Sequence, residues 1–112
     1  MPEVSGQLAT TIVQRYRARF GRGPTEARAY VGRDYALVIL GSAQTEVERS
    51  LVAEGEVDSV ELLRRRIRQM ATDEFCEATE EVVGRKVLAM LGDHNAIANT
   101  TALVFLLEPE QG

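Results

Sequence analysis

Two stretches constrain the fold more than any others. Ala36-Leu37-Val38-Ile39-Leu40 and Ala102-Leu103-Val104-Phe105-Leu106-Leu107 are apolar at every position. Neither approaches the roughly 18 residues of a membrane-spanning helix. Both are short and rich in β-branched, leucine and aromatic residues, so they read as strands. Because they do not alternate with polar residues, burial on both faces is expected. A chain with two such strands must build a sheet and then cover it.

The remaining elements follow from periodicity. Leu8, Ile12, Val13, Tyr16 and Phe20 recur at helical spacing, which predicts a helix capped by Ser5 and ending at Phe20. Gly21 or Gly23 supplies its left-handed cap, and Pro24 forbids continuation. Ala27–Val31 pairs with Tyr35–Leu40 across Gly32-Arg33-Asp34, a hairpin with glycine in its turn. Thr45 with Glu48 three residues later forms a capping-box pattern, opening a short helix that Gly55 ends. From Asp58 or Ser59 to Val83, Val60, Leu63, Ile67, Met70, Ala71, Phe75, Ala78 and Val82 keep a helical period. Arg64 falls inside that apolar arc. Either it pairs with a carboxylate or the helix breaks near Thr72-Asp73. After Gly84, Arg85–Leu91 and Thr101–Leu107 form a second hairpin joined by the loop Gly92–Thr100.

The expected fold is therefore α+β, in the order α-β-β-α-α-β-β, with a four-stranded antiparallel sheet made of two hairpins and helices packed against it. At 112 residues this reads as a single domain, with a core over residues 5–108 and a frayed tail over 109–112. The two ends echo each other: Gly21-Arg22 and Gly84-Arg85 each precede a hairpin. Helices on one face leave the other to cover. The long helix wraps around it, or two copies pack sheet to sheet or through paired helices, and a two-fold homodimer is the favoured solution.

The balance of charge narrows the partners. Thirteen Lys+Arg against seventeen Asp+Glu give a net charge of −4, which does not favour nucleic acid. No apolar leader or span is visible, so membrane insertion is not expected. Cys76 is alone, and a reducing cytoplasm is the simplest compartment.

Gly21-Arg22-Gly23-Pro24, Thr45-x-x-Glu48-x-x-Leu51, Gly84-Arg85-Lys86-Val87, Asp93-His94 and Phe105-x-Leu107-Glu108 occur in an order and spacing with a precedent. Across Ser5 to Glu108 the chain resembles the MpsC-type domain, named after component C of a Na+-translocating membrane-potential-generating system. The resemblance implies a small soluble bacterial protein, in some cases associated with membrane transport subunits. It carries over no catalytic residues. Gln44 departs from the apolar residue that usually precedes the Thr-x-x-Glu element, which puts the packing of that helix start in question.

Several residues invite a functional reading. Gly21-Arg22-Gly23-Pro24 looks like a phosphate loop, but it follows a helix and opens a strand, so carbonyls rather than amides face it. Arg15, Arg19 and Arg22 form a stripe at i, i+4, i+7 that suits a partner contact. Asp93-His94 is the best candidate for chemistry. His94 is the only histidine, and it falls in the longest loop of the second half beside a carboxylate that orients it or shares a metal. Two ligands make a poor metal set, and the competing assignment makes Asp93 and Asn95 turn residues. Thr45, Thr100 and Thr101 offer hydroxyls at distances the sequence does not fix. Glu74, Glu77, Glu80 and Glu81, two turns beyond Arg64, Arg65, Arg66 and Arg68, read as a solvated face with pairs inside the helix, or as one side of a charge-matched helix dimer. Cys76 packs passively.

No catalytic constellation, cofactor or metal set emerges. The expected function is a non-enzymatic, cytoplasmic interaction or regulatory domain, dimeric and accessory to a membrane ion-translocating system through a transport subunit. Its candidate contacts are Arg15, Arg19, Arg22, Asp93 and His94. The competing expectation is a small-anion or metabolite sensor using Arg22, Arg85 and His94.

Overall fold

A computed structural model describes residues 3–109; the end of the expected tail, residues 110–112, lies outside them. The order is α1 (Val4–Phe20), β1 (Glu26–Val31), β2 (Tyr35–Gly41), α2 (Glu46–Ala53), α3 (Val57–Val83), β3 (Val87–Asn95) and β4 (Thr100–Leu107). The fold is α+β, as expected. All four strands pair antiparallel in the order β1-β2-β4-β3. The two apolar runs thus become the central pair. β2 and β4 bond along their whole length, from Tyr35 opposite Leu106 to Gly41 opposite Thr100.

Helix boundaries follow local chemistry with two corrections. α3 starts at Val57 after Glu56, with no side-chain cap, rather than at Asp58 or Ser59. α1 starts at Val4 after Glu3 with no side-chain cap, so Ser5 lies inside the helix rather than capping it. Gly21 (φ 81) closes α1 and Gly84 (φ 77) closes α3, both in the left-handed region. The echo between the two Gly-Arg pairs stops there. Arg22 is exposed past the end of α1, whereas Arg85 donates to the carbonyls of Gly32 and Arg33 at the β1–β2 turn.

α3 is unbroken for 27 residues, so the choice posed by Arg64 resolves in favour of a carboxylate partner. The helix also contradicts the pairing expected within it. Glu81 pairs with Arg15 and Glu74 approaches Arg19, both on α1, while Glu80 accepts from the Val87 amide. These charges tie α3 to its neighbours.

α1 and α3 cover one face of the sheet. Leu8, Ile12 and Tyr16 from α1, Ala71, Phe75 and Ala78 from α3, and Val38, Leu103 and Phe105 from the sheet form its core. Tyr16 stacks on Phe75 at 6.3 Å between ring centroids and tilts against Phe20 at 5.0 Å. Nothing among the described residues packs on the other face. Burial of β2 and β4 on both faces is therefore corrected: their second-face residues, Leu37, Ile39 and Val104, are only half-buried.

The Gly84 cap gives a direct test. A Cβ there would meet nothing within 4 Å, so replacement costs only the left-handed backbone. Gly84→Ala should lower stability by about 1 kcal/mol in urea denaturation, without a change in the slope of the transition.

Candidate functional site

The segment between β2 and α2 organises the polar interior. Thr45 and Glu48 make the reciprocal capping box, with Glu48 N–H donating to the Thr45 hydroxyl at 3.2 Å and Thr45 N–H to the Glu48 carboxylate at 2.9 Å. The same carboxylate receives Arg64 in a bidentate pair, Nε–H to Oε2 and Nη2–H to Oε1, each 2.7 Å. Arg64 also donates to the Ala43 carbonyl at 2.7 Å and the Tyr16 hydroxyl at 2.5 Å. Four of its roughly five N–H donors are thereby used. Glu48 and Arg64 are both fully enclosed, at 3% and 4% exposure.

Their acid–base behaviour follows. Burial alone would push the Glu48 carboxyl up, but Arg64 and the Thr45 contacts outweigh it and hold the group below the usual carboxylate range. Burial likewise works against the Arg64 charge, and Glu48 and Tyr16 more than restore it. Burial raises the Tyr16 hydroxyl, with Arg64 opposing.

Gln44 carries the network to the sheet. Its amide nitrogen donates to the Ala96 carbonyl at 2.8 Å and faces His94 Nε2 at 2.9 Å. The Ala96 carbonyl fixes which end of the amide is nitrogen, because the amide oxygen there would face another acceptor. Nε2 of His94 must therefore accept, and Nδ1–H donates to the Thr101 hydroxyl at 2.7 Å. The ring is neutral, and burial followed by the nearby Arg64 charge lowers its pKa from 6.5 to about 4. Gln44, polar where an apolar residue is usual, is thus the partner of the sole histidine. Two left-handed residues side by side, Ser42 (φ 59) and Asn99 (φ 51), shape this corner, and Asn99 bonds back to Ser42 and Gln44.

This corrects the loop expected over Gly92–Thr100. Asp93 and His94 lie on β3, with His94 opposite Thr101, and only Ala96–Asn99 turns. His94 has no ring nitrogen free, so it is not poised as a base toward Thr101. Asp93 is exposed on the opposite sheet face, caps the His94 amide and sits 3.8 Å from Arg68. Thr45 is spent on its cap and Thr100 on the Ala98 carbonyl. A shallow concavity of about 500 Å³ runs beside His94, lined by Glu61, Asp93, Asn95 and Thr100 among others. Its carboxylates do not favour anions.

The remaining candidates stand apart. Arg85 lies at the other end of β3 from His94 and holds the β1–β2 turn, so Arg22, Arg85 and His94 do not converge on one ligand. Arg15 and Arg19 face α3 rather than standing free. Cys76 is half-buried, and burial, then Glu80 and Asp73, raises its thiol above the ordinary range. Among the described residues no three His, Cys, Asp or Glu side chains gather as a metal site, and no helix is long and apolar enough to cross a membrane.

The uncovered sheet face carries only Asp93 of the contact residues expected from the sequence. Register sorts it into rows across β1-β2-β4-β3. Glu26, Gly41, Thr100 and Asn95 form a polar row at one end. Next come Arg28, Ile39, Ala102 and Asp93, and then Tyr30, Leu37, Val104 and Leu91. Tyr35, Leu106 and Ala89 complete the apolar end. Tyr30 is 53% exposed and Leu91 55%.

The sequence profile described as "Na+-translocating membrane potential-generating system (MpsC)" matches residues 2–109 of the 112. The chain belongs to the MpsC family. Comparison with curated proteins and with solved structures returned no match. Membership in MpsC accords with the ordered motifs: Gly21 and Gly84 are helix caps, Thr45 and Glu48 a capping box, and Asp93-His94 a strand end.

Two measurements probe the interior. Arg64→Met leaves the Glu48 carboxylate enclosed without its partner, and should cost about 3–5 kcal/mol in denaturant unfolding; Glu48→Leu added to it should recover most of the loss. The His94 pKa is lower folded than unfolded, so its stabilising contribution is complete above pH about 6.5 and is lost as pH falls toward about 4. The thermal midpoint should decline across that window, and His94→Gln should flatten the decline.

Proposed function

We propose that this MpsC domain is a non-enzymatic interaction module that self-associates as a homodimer in the cytoplasm, accessory to a membrane ion-translocating system. The observation that carries the reading is the open sheet face. Its apolar rows expose Tyr30, Tyr35, Leu91 and Leu106 around the half-buried Leu37, Ile39 and Val104, whereas soluble monomers seldom leave a large contiguous apolar patch bare. The polar groups that would suit chemistry are instead consumed inside the fold: His94 by Gln44 and Thr101, and Glu48 and Arg64 by each other. The family description supplies the membrane system, and the partner contact falls to exposed groups such as Arg22 and the outer sides of Arg15 and Arg19.

Light scattering at tens of micromolar should return twice the chain mass of 12.4 kDa. Leu37→Asp, at the middle of the open face, should return the single-chain mass with the far-UV spectrum retained. A wild-type monomer at these concentrations overturns the reading.

A further inference from the structure

Resting on the open face as the self-association surface, the geometry points to one arrangement of the dimer. We propose that two copies meet face to face about a two-fold axis parallel to the strands. β1 of each copy then lies over β3 of the other, and Arg28 meets the partner's Asp93.

In aligned packing, the arrangement taken here of the two that stacked sheets adopt, the strands of the two sheets run within about 30° of each other and the sheets lie about 10 Å apart, so two in-plane axes come into question. An axis across the strands turns one sheet end for end. It would set the polar row of Glu26, Thr100 and Asn95 against Tyr35 and Leu106, burying polar groups on apolar ones. An axis along the strands keeps each row over its own counterpart and exchanges left for right. Polar end then meets polar end, and the row of Tyr30, Leu37, Val104 and Leu91 meets itself.

Charge selects the same axis independently. The second row has an arginine at its β1 edge and an aspartate at its β3 edge, with Ile39 and Ala102 between them. Exchange of left and right places each arginine over the partner's aspartate, twice per dimer. The crosswise axis places β1 over β1 and leaves Asp93 above leucine. Asp93 keeps one oxygen for a partner: Oδ1 takes the His94 amide at 2.9 Å and lies 3.8 Å from Arg68, longer than a strong charge-assisted bond, while Oδ2 has no bond among the described residues and the side chain is 93% exposed. Arg28 is exposed on its strand and long enough to cross the gap between sheets. Two edge pairs around an apolar centre give the rim and core of a specific interface.

Complementary charge reversals test this. Arg28→Glu alone sets carboxylates against each other at both edges, and Asp93→Arg alone sets guanidiniums against each other. Each should weaken the dimer by roughly tenfold or more in sedimentation equilibrium. Mixed one to one, the two variants should form a heterodimer with both pairs attractive and regain the wild-type dissociation constant. A mixture that behaves as the average of its components overturns the axis, while the wild-type dimer and its loss in Leu37→Asp would still stand for the open face. Circular dichroism checks folding. As a second measurement, Tyr30→Cys and Leu91→Cys copies, both carrying Cys76→Ser, are treated with a bis-maleimide of roughly 10 Å reach. Cross-links between the two kinds of copy should exceed those within either kind. Predominant Tyr30→Cys self-links mean the crosswise axis and refute the proposal.

Discussion

The bidentate pair between Arg64 and Glu48 is the point on which the two halves of the molecule depend. Glu48 lies in the first turn of α2, Arg64 projects from α3, Tyr16 belongs to α1, and the Ala43 carbonyl belongs to the segment leaving β2. One guanidinium therefore fixes four parts of the chain at a single place. Enclosing two charges is expensive, and their mutual attraction offsets that cost only when geometry is good and the leftover donors are satisfied. Both conditions hold here. What such a pair contributes best is register, since any other docking of α2 against α3 would leave both charges enclosed and unmatched.

The same segment links the ion pair to the sheet. Ala43 accepts from Arg64, Gln44 holds His94, and Thr45 caps the helix whose Glu48 receives Arg64. Three successive residues thus connect the helical layer to β3 and β4. The neutrality of His94 follows from its place in this chain of bonds: an imidazolium would turn Nε2 into a donor facing another donor. A sole histidine beside an aspartate suggested chemistry, but its environment makes it a structural hydrogen-bonding group.

Local signals in the sequence were legible where physics acts over a few residues. The capping box of Thr45 and Glu48, the left-handed caps at Gly21 and Gly84, and the hairpin turn at Gly32-Arg33-Asp34 are all properties of neighbouring residues. The candidate site was less legible. Asp93-His94-Asn95 reads as a turn because Gly, Asp and Asn favour turns, yet pairing with Thr100–Ala102 across β4 overrides that preference. Gln44 was visible as an oddity without a cause, since its partner lies 50 residues away. The acidic turns of α3 were matched to arginines on their own helix, while Arg15 and Arg19 of α1 took up Glu81 and Glu74.

The sequence by itself determined the class and order of elements, and that two apolar runs must sit inside a sheet. It also posed the question of Arg64 by placing it within an apolar helical arc. Periodicity, capping and hydrophobic burial act locally and leave their mark in neighbouring residues. Only the tertiary structure decided that the apolar runs lie side by side, that Glu48 is the carboxylate Arg64 required, and that the sheet keeps one face open. Those outcomes depend on register between distant strands and on which helix reaches which face. A row running from Arg28 to Asp93 exists only after four strands have paired.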